Sequence, residues 1–241
     1  MVDDHYLEKY SRQIILGEIG PEGQKKIKNA SVLIIGAGGL GSSVIQYLGA
    51  AGIGKIGIAD DDKVELSNLN RQLIYKNDNI GESKVVAAKN YLIESYPSTQ
   101  VEVFKTHINK NNLAKIIYKY DLLADCSDNL ETRLAINKIC KEQKKTWVMS
   151  AVGGFYGQVA AFKPSNGKSD KSDASYDDFM KNIVFDEKTC SNTGSIGSAV
   201  GTIGGLQATE IIKIIVGNNN NLINKLLIFD LLTYKSKTFN L

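Results

Sequence analysis

The 241-residue chain is poor in the side chains that most often carry acid/base and metal chemistry. It has two histidines, His5 and His107. A three-histidine metal site is therefore excluded, and a histidine-based acid/base pair is hard to assemble. Its three cysteines, Cys126, Cys140 and Cys190, are far apart and form no CxxC pair. So sparse and odd a set fits a reducing, cytoplasmic setting and not a disulfide scaffold. Arginine is scarcer still in proportion, with Arg12, Arg71 and Arg133 against 26 lysines. A planar guanidinium does what an ammonium does not, so each arginine is a candidate for a special position. The net charge of +3 is too small to argue for a nucleic-acid partner. A long uncharged run, 31–54, is dense in glycine. It breaks into a β-branched stretch and a helical stretch, so it reads as strand, turn and helix, not as a membrane span. The start, Met1-Val2-Asp3-Asp4-His5, is acidic and followed by no apolar core, which is not the pattern of a signal peptide.

What is present is enough for a full core, since 43% of residues are hydrophobic. Tyr6–Leu16 has the spacing of an amphipathic helix, and Pro21 opens a second, short one to about Lys28. Strands and helices then alternate. Strands are expected at Val32–Ile35, Lys55–Ala59, Val101–Phe104, Leu122–Ala124 and Thr146–Ser150, with helices at Leu40–Ala51, Glu82–Tyr96, Asn111–Tyr118 and Leu130–Lys141. This alternation predicts an α/β, Rossmann-like, three-layer fold with a mostly parallel sheet. After Val152 the pattern changes: Gln158–Lys163 alternates weakly, Ile203–Val216 reads as a strong helix, and Lys225–Phe229 with Tyr234–Phe239 reads as an antiparallel pair. The sheet is thus expected to end in antiparallel strands. A single domain over 1–241 results: N-terminal helices to 30, a nucleotide-binding core over 31–152, a mobile crossover loop over 164–192, and a helix plus antiparallel strands over 193–241. The loop is polar and almost without aliphatic residues, which fits either plain mobility or a functional lid.

Gly36-Ala37-Gly38-Gly39-Leu40-Gly41 follows an expected strand and opens an expected helix. In that context a GxGxxG run makes a tight turn and points backbone N–H groups at a phosphate. Asp60 ends the next strand, 19 residues past Gly41, where a ribose-binding carboxylate belongs. An adenine nucleotide follows, although the glycines alone do not separate NAD from ATP and also serve helix–strand packing. The residues after Asp60 do separate them. Asp62, Ser67, Asn68, Leu69, Asn70, Arg71 and Gln72 come next, then Lys84 in the first turn of a helix, then Asp128 and Asn129 after a strand. A nicotinamide needs no such cluster, whereas a triphosphate calls for cations and a carboxylate to hold Mg²⁺. Singly, Lys84 fits a solvated lysine and Asp128 a helix cap; the combination carries the reading.

At these residues the sequence resembles the ThiF/MoeB/HesA adenylating enzymes, relatives of the ubiquitin-activating enzymes. The carrying stretches are Tyr10-Ser11-Arg12-Gln13-Ile14, 36–41, 60–72, Gly81–Lys84, Asp125–Asn129, Gly157-Gln158-Val159 and Gly204–Glu210, spread over nearly the whole chain. The resemblance implies an ATP-dependent adenylyltransferase, usually a homodimer. Its substrate would be the C-terminal Gly-Gly carboxylate of a small ubiquitin-like carrier, with sulfur transfer for thiamine or molybdopterin as the destination. It implies that Gly39 and Asp60 hold the adenosine, and that Ser67–Arg71 and Lys84 hold the phosphates. Asp128 would bind Mg²⁺ with Asn129 beside it, and Arg12 would reach into the partner's site. Scarce histidine is no obstacle, because a C-terminal carboxylate, with a pKa near ~3.5, is already ionised at neutral pH.

The sequence departs from the family in one respect. Where many relatives have the first of two zinc-binding CxxC pairs, this chain reads Ser175-Tyr176-Asp177-Asp178, and no second pair follows. No structural zinc is expected. Cys190 matches a family cysteine in the crossover loop and is open to two readings, a nucleophile for sulfur transfer or a small side chain near a helix start. Cys126 and Cys140 read as core positions. Arg133, one turn past Asn129, either faces the same edge or sits on the surface. Other readings of the whole are adenylation of a peptide or a tRNA-linked carboxylate, a nucleotide-binding scaffold without turnover, and a dehydrogenase. The small charge disfavours the tRNA reading, and the dehydrogenase lacks an evident hydride-transfer residue.

Overall fold

A computed structural model describes residues 4–164, 176 and 194–241. Helices α1 (Asp4–Ile14) and α2 (Gly20–Asn29) precede β1 (Ser31–Ile35), α3 (Gly39–Ala51) and β2 (Lys55–Ala59). Next come α4 (Lys84–Ser95), β3 (Gln100–Phe104), α5 (Lys110–Ile116), β4 (Leu122–Asp125), α6 (Leu130–Glu142), β5 (Thr146–Gly153) and β6 (Tyr156–Phe162). Helix α7 (Gly197–Val216), β7 (Lys225–Asp230) and β8 (Lys235–Asn240) complete the order. The α/β reading holds. Helix α7 begins six residues earlier than the sequence pattern indicated, because its first turns are glycine- and serine-rich and lack a clear apolar stripe.

The eight strands form one sheet in the order β3-β2-β1-β4-β5-β6-β7-β8. β1 to β5 run parallel, and β6, β7 and β8 add antiparallel. Both faces of the parallel part are covered, which is why β1 reads as a continuous apolar run. Val32 and Ile34 pack on the face of α3, α4 and α7, and Leu33 and Ile35 on the face of α5 and α6. On the second face Trp147 stacks on Phe162 at 4.7 Å, and both rings meet Tyr176 edge-on.

Among the described residues, α7 is a helix long and apolar enough to cross a membrane. It packs against α3, β5 and β6, so its apolar face is used in the core. The run 31–54, weighed for the same role, is β1, a turn and α3.

The strand order places a site. The chain steps outward from β1 to β2 and β3, then returns to β4 on the other side of β1. At such a switch point the loops after β1 and β4 diverge and leave a crevice at the carboxyl ends of the strands.

Candidate functional site

A cavity of about 610 Å³ opens at that crevice. Its floor is the glycine loop between β1 and α3. Gly36 has a left-handed backbone (φ +90°), and a Cβ there would stand 2.7 Å from the carbonyl oxygen of Cys126. A Cβ on Gly39 would press on Val200 at 2.7 Å. Gly41 does not line the cavity; a Cβ there would run into the carbonyl oxygen of Gly36. The third glycine of the motif therefore serves close packing of the loop on its own helix.

Asp60 fixes the loop. Its Oδ2 accepts the Ala37 N–H at 2.7 Å, and its Oδ1 accepts the Asp62 N–H at 2.8 Å. Burial raises its pKa, and the two N–H groups and Lys84 oppose that rise. Each oxygen keeps a second lone pair for a ligand. The Tyr75 hydroxyl donates to the Ala37 carbonyl at 2.8 Å. Burial first, then the charges of Asp60 and Asp62, push that hydroxyl up, so it stays a donor.

The cations come from two elements. Arg71 follows a short 3₁₀ turn, Leu66–Asn68, and its Nη1 donates to the Ser67 carbonyl at 2.8 Å and to Asn70 Oδ1 at 3.0 Å. Lys84 is the first residue of α4, and its Nζ lies 2.7 Å from Asp62 Oδ2. On the far wall, Asp128 and Asn129 follow β4. Asn129, and not Asp128, caps α6 by accepting the Thr132 N–H at 2.9 Å. Asp128 is exposed, and its Oδ1 is 3.5 Å from Asn129 Nδ2.

Of the residues singled out in the sequence, Gly36, Gly38, Gly39, Asp60, Asp62, Asn68, Arg71, Gln72, Lys84, Asp128 and Asn129 meet at this cavity. Ser67, Leu69 and Asn70 do not line it: the Ser67 hydroxyl donates to Glu65, Asn70 holds Arg71, and Leu69 packs on the core. Arg12 is on exposed α1, which docks at the other end of α3 through Tyr10 on Gly52 and Gln13 on the Ala51 carbonyl. Thirteen helical residues separate the two ends by about 18 Å. Cys190 lies outside the described residues, as do three of the four residues at 175–178. Cys126 and Cys140 are buried, and burial raises both thiols. Arg133 is buried, not on the surface; it sits under the Asp128 loop, paired with Asp125.

The sequence reading missed Ile35, Ala59, Asp61, Thr106, His107, Ile108, Cys126, Ser127, Thr132 and Ser195 as cavity residues. Positions 106–108 follow β3, and the rule that sites form beyond the carboxyl ends of parallel strands would have found them. Ser195 is far away in sequence and has no local signal.

A model of the ThiF family matches residues 10–241. The chain belongs to the ThiF family. It is 41% identical over 236 residues to the probable molybdopterin-synthase adenylyltransferase of Porphyra purpurea, covering 97% of this chain and 60% of that protein. It is 37% identical over 227 residues to the sulfur carrier protein adenylyltransferase of Thermus thermophilus, covering 94% of this chain and 84% of that one. The chain thus spans about three fifths of the length of the Porphyra purpurea protein. The fold of this ThiF-family chain also matches the crystal structure of PaaA, with a TM-score of 0.83 at 23% identity over 99% of this chain and 74% of that one. Escherichia coli MccB with ATP gives 0.75 at 23% identity over 90% and 65%.

Proposed function

We propose that this chain is an ATP-dependent adenylyltransferase that activates the C-terminal Gly-Gly carboxylate of a small ubiquitin-like sulfur carrier. The observation that carries the reading is the meeting of the glycine loop, Asp60, Arg71, Lys84 and Asp128 at one cavity. The names of the relatives at 37–42% identity support the substrate class.

In this reading Gly39 and Asp60 hold the adenosine end, and Arg71 and Lys84 hold the phosphates. A carrier carboxylate oxygen attacks the α-phosphorus, a new P–O bond forms, and the bond to pyrophosphate breaks. No proton moves, so no general base is needed. The barrier is electrostatic: an anion must approach a polyanion, and charge builds on departing pyrophosphate. Asp128, an exposed carboxylate on the cavity wall, suits a hard divalent ion such as Mg²⁺. When bound there, Mg²⁺ would neutralise phosphate charge.

One chain alone is short of positive charge for this task. Its cavity has Asp60, Asp61, Asp62 and Asp128 against Arg71 and Lys84. Arg12 is at the wrong end of its own α3, so it serves only if a second copy of the chain brings it. A homodimer with Arg12 acting in trans follows from this reading. A nucleophilic Cys190 would belong to a later sulfur-transfer step and not to adenylation, so Cys190→Ala is expected to spare exchange and affect sulfur delivery alone.

The test is ATP–pyrophosphate exchange with candidate partners. Exchange that requires a Gly-Gly-ended carrier is the expected result. Exchange driven by a peptide, exchange with no partner, or tight NAD binding would each overturn it.

A further inference from the structure

Where β4 ends beside the middle of β5, Asp125 and the carbonyls of Ser127 and Ser150 are left in the interior. Arg133, on α6, meets all three. Its Nε donates to Asp125 Oδ2 at 2.8 Å, and its Nη2 donates to the Ser127 carbonyl at 2.8 Å and the Ser150 carbonyl at 3.2 Å. Asp125 closes the turn from the other side, accepting the Ser127 N–H at 2.9 Å and its hydroxyl at 2.5 Å. Arg133 is 7% exposed and Asp125 fully buried, and neither lines the cavity. A lysine could not make this set of bonds, because an ammonium lacks the planar fork.

The residue held so closely is Ser127, and the next is Asp128. Beyond it Asn129 is tied to the first turn of α6. Asp128 is therefore an exposed carboxylate between two anchored neighbours.

We propose that Arg133 is a positioning residue for Asp128: through Asp125 and Ser127 it sets the direction of a carboxylate that it never touches. The proposal rests on Asp128 as the divalent-cation ligand. Groups that orient metal ligands typically change metal affinity about 10–100-fold when altered.

The test uses the full chain with a non-hydrolysable ATP analogue and reads Mn²⁺ binding by electron paramagnetic resonance, so no carrier is needed. Arg133→Lys is expected to bind the analogue without metal as the parent does, and to bind Mn²⁺ at least about tenfold more weakly in its presence. Ser127→Ala leaves the ion pair in place, and is expected to weaken Mn²⁺ binding in the same direction but by less than Arg133→Lys does. It decides the matter if Arg133→Lys does not fold. Unchanged Mn²⁺ affinity in a folded Arg133→Lys protein would overturn the proposal, and so would an equal loss of nucleotide and Mn²⁺ binding, the mark of a purely structural role. If Asp128→Ala itself leaves Mn²⁺ affinity unchanged, the underlying assignment of Asp128 fails and this proposal with it. Loss of carrier-dependent exchange chemistry alone would leave the Mn²⁺ result standing.

Discussion

Lys84 donates from Nζ to Asp62 Oδ2 at 2.7 Å, with the Lys84 side chain 7% exposed and that of Asp62 66% exposed. A nearly buried ammonium needs a partner, and Asp62 supplies one at the edge of the cavity. Phosphate oxygens entering there would share or replace that partner. Lys84→Met is therefore expected to lower carrier-dependent ATP–pyrophosphate exchange by about 10²-fold or more. Asp62 acts on the phosphates only through Lys84, so Asp62→Asn is expected to cost less, about tenfold at most. Steady-state exchange rates for the two folded variants check this. Equal losses in both would contradict the division of roles.

Much of this arrangement was legible in the sequence, for identifiable reasons. The run Gly36–Gly41 makes a local demand on the backbone, so its four glycines announce the turn. The same holds for the continuous apolar run of β1, whose two buried faces leave no polar residue from Val32 to Ile35. The role of Arg133 was not legible, because its partners at residues 125, 127 and 150, with Tyr176 beside them, are scattered in sequence and meet only when β4 and β5 lie side by side. Ser67, Leu69 and Asn70 show the converse: they belong to a motif that reads as one unit, yet they support Arg71 instead of facing the cavity.

The position of Arg12 yields a test of assembly. If it acts only across a dimer, Arg12→Ala and Asp128→Ala chains are each inactive alone. A mixed dimer has one site with every group intact. Random pairing of equal amounts is expected to restore about a quarter of the parent exchange activity. Co-expression with two different affinity tags isolates the mixed species. No recovery in it would contradict action in trans.

Gln207, fully buried on α7, joins the helix to the strand ends beneath the site. Its Nε2 donates to the carbonyls of Asp125 and Val148, both at 2.9 Å, and its Oε1 accepts from Ser150 Oγ at 2.6 Å and Cys126 Sγ at 3.3 Å. Gln207→Leu keeps the volume and removes these bonds. Leaving such groups without partners costs about 2–4 kcal/mol. Thermal unfolding of the apo protein is expected to shift down by roughly 5–15 °C. An unchanged midpoint would show that these bonds contribute little.

The edge of the sheet yields a prediction in pH. Glu102 on β3 accepts from Lys119 Nζ at 3.0 Å and from the Tyr120 hydroxyl at 3.0 Å, and Lys55 lies 3.1 Å away. Tyr120 reaches it because Gly57, paired with Glu102 in the next strand, leaves room for the ring. Lys119 first, then Lys55 and Tyr120, lower the Glu102 pKa from 4.5 to about 2, against some desolvation. A carboxyl lowered by folding stabilises the fold fully above its ordinary pKa, and that contribution fades as pH falls through the folded value. The group is about a third exposed, so solvent screening limits the contribution to about 1 kcal/mol. Glu102→Gln is therefore expected to lower the unfolding midpoint by roughly 2–4 °C at pH 7. The gap to the parent should narrow below pH 4.5 and close near pH 2. A gap that stays constant over this range would assign the stabilisation to packing around Tyr120 and not to charge.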